Sequence, residues 1–196
     1  MAKTAATGFY LRGNLLGGAN TQPTFDYIIA NSTTLKIGDA VRMNTAGFIV
    51  RAAAGEAILG VVEGLVDANG VNVFSGRAAG TTASTLTPDD TVAVSSTNQS
   101  DAVRNLKAQV KLDPAGLNLW YNDASADLAA TNDLQFFDND SAGSQITATT
   151  NLDTNGQWQL VKRDPDGDGD LSKGLFRIAE GQLGGMIDSA TAKVAA

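Results

Sequence analysis

LKIGDAVRMNTAGFIVRAAAGEAILGVVEGLV, residues 35–66, is the stretch that decides the fold. Short apolar or alternating runs are separated by glycine turns at Gly38-Asp39, at 44–47 and at Gly55-Glu56. Runs of this length bounded by Gly, Asn and Asp are strand signals, and connections of a few residues join antiparallel neighbours. The stretch therefore predicts strands at 40–43, 48–52 and 58–66. Almost nothing in it could make or break a bond.

The same pattern extends outward. Residues 25–33, FDYIIANST, suit a strand with Tyr27 and Ile29 on one face, and 71–74 and 91–95 suit two more. Residues 105–113 alternate: Leu106, Ala108, Val110 and Leu112 inward, Lys107, Gln109 and Lys111 outward. After the Pro114-Ala115-Gly116 turn, Leu117, Leu119 and Tyr121 alternate again. Residues 123–133 suit a short helix or a loop; 134–138 and 145–150 are weaker strands; 157–163 and 175–179 form the last clear pair. The Gly/Ala/Thr-rich stretch 76–88 reads as a surface loop. The tail from Glu180 is Gly-rich, then Ala-rich, with a short helix over 186–194. One faint repeat, VRMNTAG at 41–47 against VKLDPAG at 110–116, is two similar turns or two related β units.

The expected fold is all-β and mainly antiparallel, a compact β-barrel or sandwich with an extended N-terminal arm and Gly-rich loops. The arm is 1–24 and the β-rich domain 25–196, with an elaboration from about 105 onward. Phe9, Tyr10, Leu11, Leu15 and Leu16 place five large apolar residues in eight positions, while Gly13, Gly17, Gly18 and Pro23 break any long element. A purely solvated tail rarely carries such a set. The arm reading makes these five the partner contacts, and implies that removing residues 1–20 leaves a folded domain.

Composition narrows the function. The 196 residues contain no His and no Cys, which removes the commonest general base and metal ligand together with thiolate chemistry and disulfides. Charged residues are 18%, below the roughly 25% usual in globular proteins, and glycine is 21 residues against a usual share of about 7%. A weakly charged surface of this kind suits proteins partly covered by neighbours. The net charge of −7 and the scattered Lys and Arg argue against nucleic acid as a partner. No apolar run approaches the roughly 20 residues of a membrane helix, and the first residues show no signal peptide, so synthesis in the cytoplasm is expected. Trp120, Tyr121 and Trp158 read as core or intersubunit packing. No P-loop, dinucleotide fingerprint or nucleophile elbow appears, and no enzyme is expected.

One constellation stands out. Asp164, Asp166, Asp168 and Asp170 lie in DPDGDGDLS, which matches the first half of an EF-hand-type loop: Asp at positions one, three and five, and Gly at six. Position twelve is Leu175, where that loop requires a bidentate Glu, and the flanks read as strands. The run equally suits an acidic hairpin loop stocked with turn residues. No cofactor is expected, with calcium at these four aspartates as the alternative.

The spacing of Gly38-Asp39, Val41, Phe48-Ile49, Ala52, Ala54-Gly55 and Gly60-Val61 resembles tailed-bacteriophage capsid decoration, or cement, proteins. The hairpin carrying Trp158 and the Asp-rich run is similar to phage structural proteins as well. The resemblance covers roughly residues 30–70. It implies a β-barrel with extended termini on the virion exterior, a homotrimer, and the major capsid protein as partner. A phage tail-tube or head–tail connector protein is the neighbouring alternative. A calcium-dependent carbohydrate-binding or adhesion module is the alternative from another class.

Overall fold

The computed structural model describes residues 8–17, 23–30, 33–66, 91–93, 107–128, 134–140, 145–147, 156–182 and 185–186. Among these there is no helix. The expected strand at 71–74, the loop at 76–88 and all but the first residue of the expected 186–194 helix lie outside them. The architecture is two five-stranded antiparallel sheets packed face to face, a sandwich.

The first sheet grows from the stretch that decides the fold. Its strands are β2 (Thr24–Ile28), β4 (Ala40–Met43), β5 (Ile49–Arg51), β6 (Gly60–Val66) and β8 (Lys107–Leu112), in the order β2-β8-β6-β4-β5. A short strand β3 (Thr34–Lys36) pairs separately with β7 (Thr91–Ala93). The sheet curls around a core of Leu35, Val41, Ile49, Val62, Leu65, Ala108 and Val110, with Tyr27 packed at its margin. A parallel bridge between Ile29 and Ile49 brings the two edges together at one point without closing a barrel. Alternation on β8 runs as expected for Ala108, Val110 and Leu112. β6 reads as nearly continuous apolar sequence because it is buried on both faces: Val62 points into this core and Val61 into the next. A side chain at Gly60 has no room, since a Cβ would sit 2.2 Å from the Lys111 carbonyl oxygen.

At the turn 113–116 the chain leaves this sheet. Asp113 organises the exit: its buried carboxylate accepts from the Leu117 amide at 2.9 Å, the Asn118 amide at 3.0 Å and the Trp120 indole at 3.4 Å. The second sheet follows, in the order β1-β9-β12-β11-β10, from β1 (Tyr10–Asn14), β9 (Asn118–Asp123), β10 (Phe136–Phe137), β11 (Trp158–Arg163) and β12 (Lys173–Ile178). A small pair, β13 (Glu180–Gly181) and β14 (Gly185–Met186), follows it. On β9 the inward face is Asn118, Trp120 and Asn122, so Leu119 and Tyr121 look outward. Beyond Asp123, the last residue of β9, the described part of 123–133 is loop.

Two expectations are corrected here. Residues 9–14 are not an arm. β1 pairs with β9, and Phe9 is 2% exposed, stacked on Trp158 with ring centroids 4.0 Å apart. The Phe9 amide donates to the Gly38 carbonyl at 2.8 Å, and Gly8 meets Gly38 so closely that a Cβ on Gly38 would lie 2.8 Å from the Gly8 Cα. Removing residues 1–20 would strip a strand and a core aromatic, so it would not leave an intact domain. The change of sheet falls at 113–116 and not at about 105, because β8 is an inner strand of the first sheet.

The two sheets share a core of Phe9, Ala40, Ile58, Val61, Trp120, Phe137, Trp158, Leu160 and Phe176. Buried amides fasten its rim. Asn139 donates to the Ala52 carbonyl at 3.0 Å and accepts from the Trp158 indole at 2.6 Å. Gln157 donates to the Ala53 carbonyl at 2.7 Å and accepts from the Asn139 amide at 2.8 Å. Asn122 donates to the Gly8 carbonyl and accepts from the Ile146 amide, each at 2.9 Å.

Asp39 is fully buried at the Gly38 turn. It accepts from the Lys36 amide at 2.9 Å and from the Arg51 Nε at 3.2 Å, while its Oδ1 has no partner among the described residues. Burial pushes its carboxyl up to about 6 from an ordinary 3.8, with the Lys36 amide and Arg51 only partly opposing. The folded value exceeds the unfolded one. Its contribution is therefore fully present below about pH 4 and lost as pH rises through about 6, a swing of about 3 kcal/mol by neutrality. Denaturant titrations of wild type and Asp39→Asn should show the variant gaining relative to wild type as pH rises from 4 to 7; the reverse trend would contradict the assignment.

Candidate functional site

The acidic loop closes the β11–β12 hairpin. Asp164 takes a left-handed backbone, φ 44°, and its carboxylate accepts from the Asp168 amide at 3.1 Å and the Gly169 amide at 3.0 Å. Asp168 accepts from the Asp170 amide at 3.0 Å, and Asp170 from the Ser172 amide at 3.3 Å. The Ser172 hydroxyl lies 2.7 Å from both Asp170 and Asp123. The Lys173 ammonium, buried at the base, pairs with Asp168 and reaches Asp170 at 3.6 Å. Asp166 faces Arg12 of β1 at 3.7 Å.

Three of the aspartates thus accept from the loop's own amides, and the chain's own ammonium supplies a positive charge among them. Among the described residues no group of three acidic side chains is arranged to hold a metal. Leu175, at the twelfth loop position, is a strand residue opposite Tyr121 and Lys162. The geometry is that of a hairpin turn held by Asp side chains.

Of the five expected contact residues, Phe9 belongs to the core and Leu11 packs against it from β1. Tyr10 is half-buried on the outer face of the second sheet. Leu15 and Leu16 follow β1 on a turn, 41% and 77% exposed. The five do not form one patch. β1 does bring Tyr10 and Arg12 beside the acidic loop, which sequence distance alone would not reveal.

The outer face of the second sheet is a candidate surface. Register places Tyr10, Tyr121 and Leu175 side by side across three strands. The Arg12 guanidinium lies 5.0 Å from the Tyr121 ring centre, a cation–π contact. One step along the strands, Arg177, Gln159 and Phe136 form a second row, with Leu119 on the outward face of β9. Apart from the buried Gln159 and the exposed Arg12, these side chains are half-buried. Burial and the nearby Asp123 raise the Tyr121 hydroxyl above its usual range, so it stays protonated as a donor at neutral pH.

Sequence reading missed Arg177 and Phe136 as outward-facing residues, and Gln159 between them. The signal was there: Trp158/Leu160 and Phe176/Ile178 point inward, so residues of the other parity on the same strands face out.

No protein-family model matches this chain, and no curated protein or solved structure matches it.

The loop geometry predicts that EDTA leaves the melting temperature within about 1 °C of the untreated protein. A fall of several degrees, reversed by calcium, would make the four aspartates a structural metal site.

Proposed function

We propose that this chain is a structural virion protein that decorates the outside of a tailed-bacteriophage capsid and bridges major capsid subunits. The resemblance carried by residues 38–61 supports the class. The observation that carries the reading is the outer face of the second sheet, where Tyr10, Tyr121, Phe136, Arg12 and Arg177 stand among Leu119 and Leu175. Tyr, Phe and Arg are the residues enriched at protein interfaces and, with Trp, at their energetic centres.

The size of that face bears on mechanism. Five strands span about 19 Å and a six-residue strand about 20 Å, so the face offers roughly 400 Å² in projection. A standard interface takes about 800 Å² from each partner. One such contact is weak, and a protein working through it needs several copies engaged at once, as on a repeating lattice. Leu15 and Leu16, projecting beyond β1, extend the contact past the sheet. A calcium-dependent adhesion module draws less support, because the loop's carboxylates already have internal partners.

Co-sedimentation with expanded shells that lack this protein, prepared from the same virus, tests the proposal. The reading expects saturable binding and a trimer in solution. A hexameric ring that ignores shells would favour the tail-tube or connector alternative, and a monomer that binds neither shells nor tubes would sink the assembly role.

A further inference from the structure

We propose that Arg177 is the anchor at which this face takes a carboxylate from a partner protein, beside an apolar side chain of that partner; the inference rests on the reading above. Arg177 Nε donates to the Gln159 Oε1 at 2.7 Å, and Nη2 donates to the same oxygen. Gln159, 8% exposed, donates in turn to the Leu134 carbonyl at 3.1 Å. The guanidinium is therefore held in place before any partner arrives. Both of its bonds go to a neutral amide, and it has no carboxylate partner among the described residues. A guanidinium has five N–H donors, so three remain for a forked pair with a carboxylate. Arg177 is half-buried, with Phe136 beyond Gln159 on the same row, and reduced access to water strengthens such a pair.

Leu134 adds an independent observation. It is 59% exposed and takes φ 77°, a left-handed conformation that costs a bulky residue strain. Its amide donates to the Leu160 carbonyl at 2.7 Å, and Gln159 holds its carbonyl, so the strain is maintained from both sides. Glycine would fit that backbone without strain. A large apolar side chain displayed there, linked through Gln159 to an Arg with no carboxylate partner among the described residues, has the composition of a binding hot spot. The net charge of −7 disfavours a phosphate backbone as the source of the anion, leaving an Asp or Glu of a protein surface.

The test measures equilibrium binding of the full chain to shells lacking it, alongside melting temperature and solution mass. Arg177→Ala is expected to weaken binding about 30-fold or more, and Arg177→Lys, which keeps the charge but loses the fork, to recover only part of it. Leu134→Gly is expected to hold or raise the melting temperature while weakening binding several-fold. Should Arg177→Ala fail to fold, Arg177→Lys and Leu134→Gly decide. Binding within twofold of wild type for folded variants overturns the anchor and leaves the decoration reading standing. A change in solution mass on Arg177→Ala without shells present also overturns it, because the occupant is then a second copy. Wild type that fails to bind shells overturns the decoration reading, and the anchor falls with it.

Discussion

Two sheets that share a core must also satisfy the polar backbone that their meeting buries. In this protein Asn139, Gln157 and Asn122 meet that requirement. The turn at 52–56 ends the first sheet's β5 with carbonyls that no strand can reach, and the amides of Asn139 and Gln157 reach them from the second sheet. The Trp158 indole, bonded to Asn139, fixes the ring on which Phe9 stacks. Buried amides without partners are costly, so the arrangement tolerates one relative placement of the sheets and penalises sliding. The N-terminal segment, the 52–56 turn and the shared core depend on that placement.

The consequence reaches the surface. With the inner face of the second sheet committed to Trp120, Trp158, Phe137 and Phe176, the opposite parity on the same strands is fixed outward. Tyr10, Tyr121, Arg177 and Phe136 are displayed on a platform whose register is set by the core beneath it. The acidic loop bounds one end of that platform. It is held by its own amides and by Lys173, so it forms a shaped rim to the sheet.

Much of the fold was readable from local pattern. Strands at 40–43, 49–51, 60–66 and 107–112 announce themselves through glycine turns and period-two alternation, which are short-range signals. The N-terminal segment was misread because Phe9 and Leu11 look identical whether they dock onto a neighbour or onto their own core. Only the pairing of β1 with β9, over a hundred residues away, decides between the two. Trp120 and Tyr121 posed a similar problem: adjacent aromatics do not say which faces in, and the larger ring took the core. The acidic loop was legible as a turn from its Asp and Gly residues. Arg177 was hidden because its significance depends on Gln159 and Leu134, two partners that sequence spacing does not bring together.

The central claim is that this chain acts by laying the outer face of its second sheet against other protein subunits. Hydroxyl-radical footprinting of the protein free and bound to shells addresses it directly. The account predicts that Tyr10, Tyr121 and Phe136 lose reactivity on binding while Phe25, on β2 of the other sheet, keeps it. Protection of Phe25 with the three outer-face aromatics still reactive would contradict it.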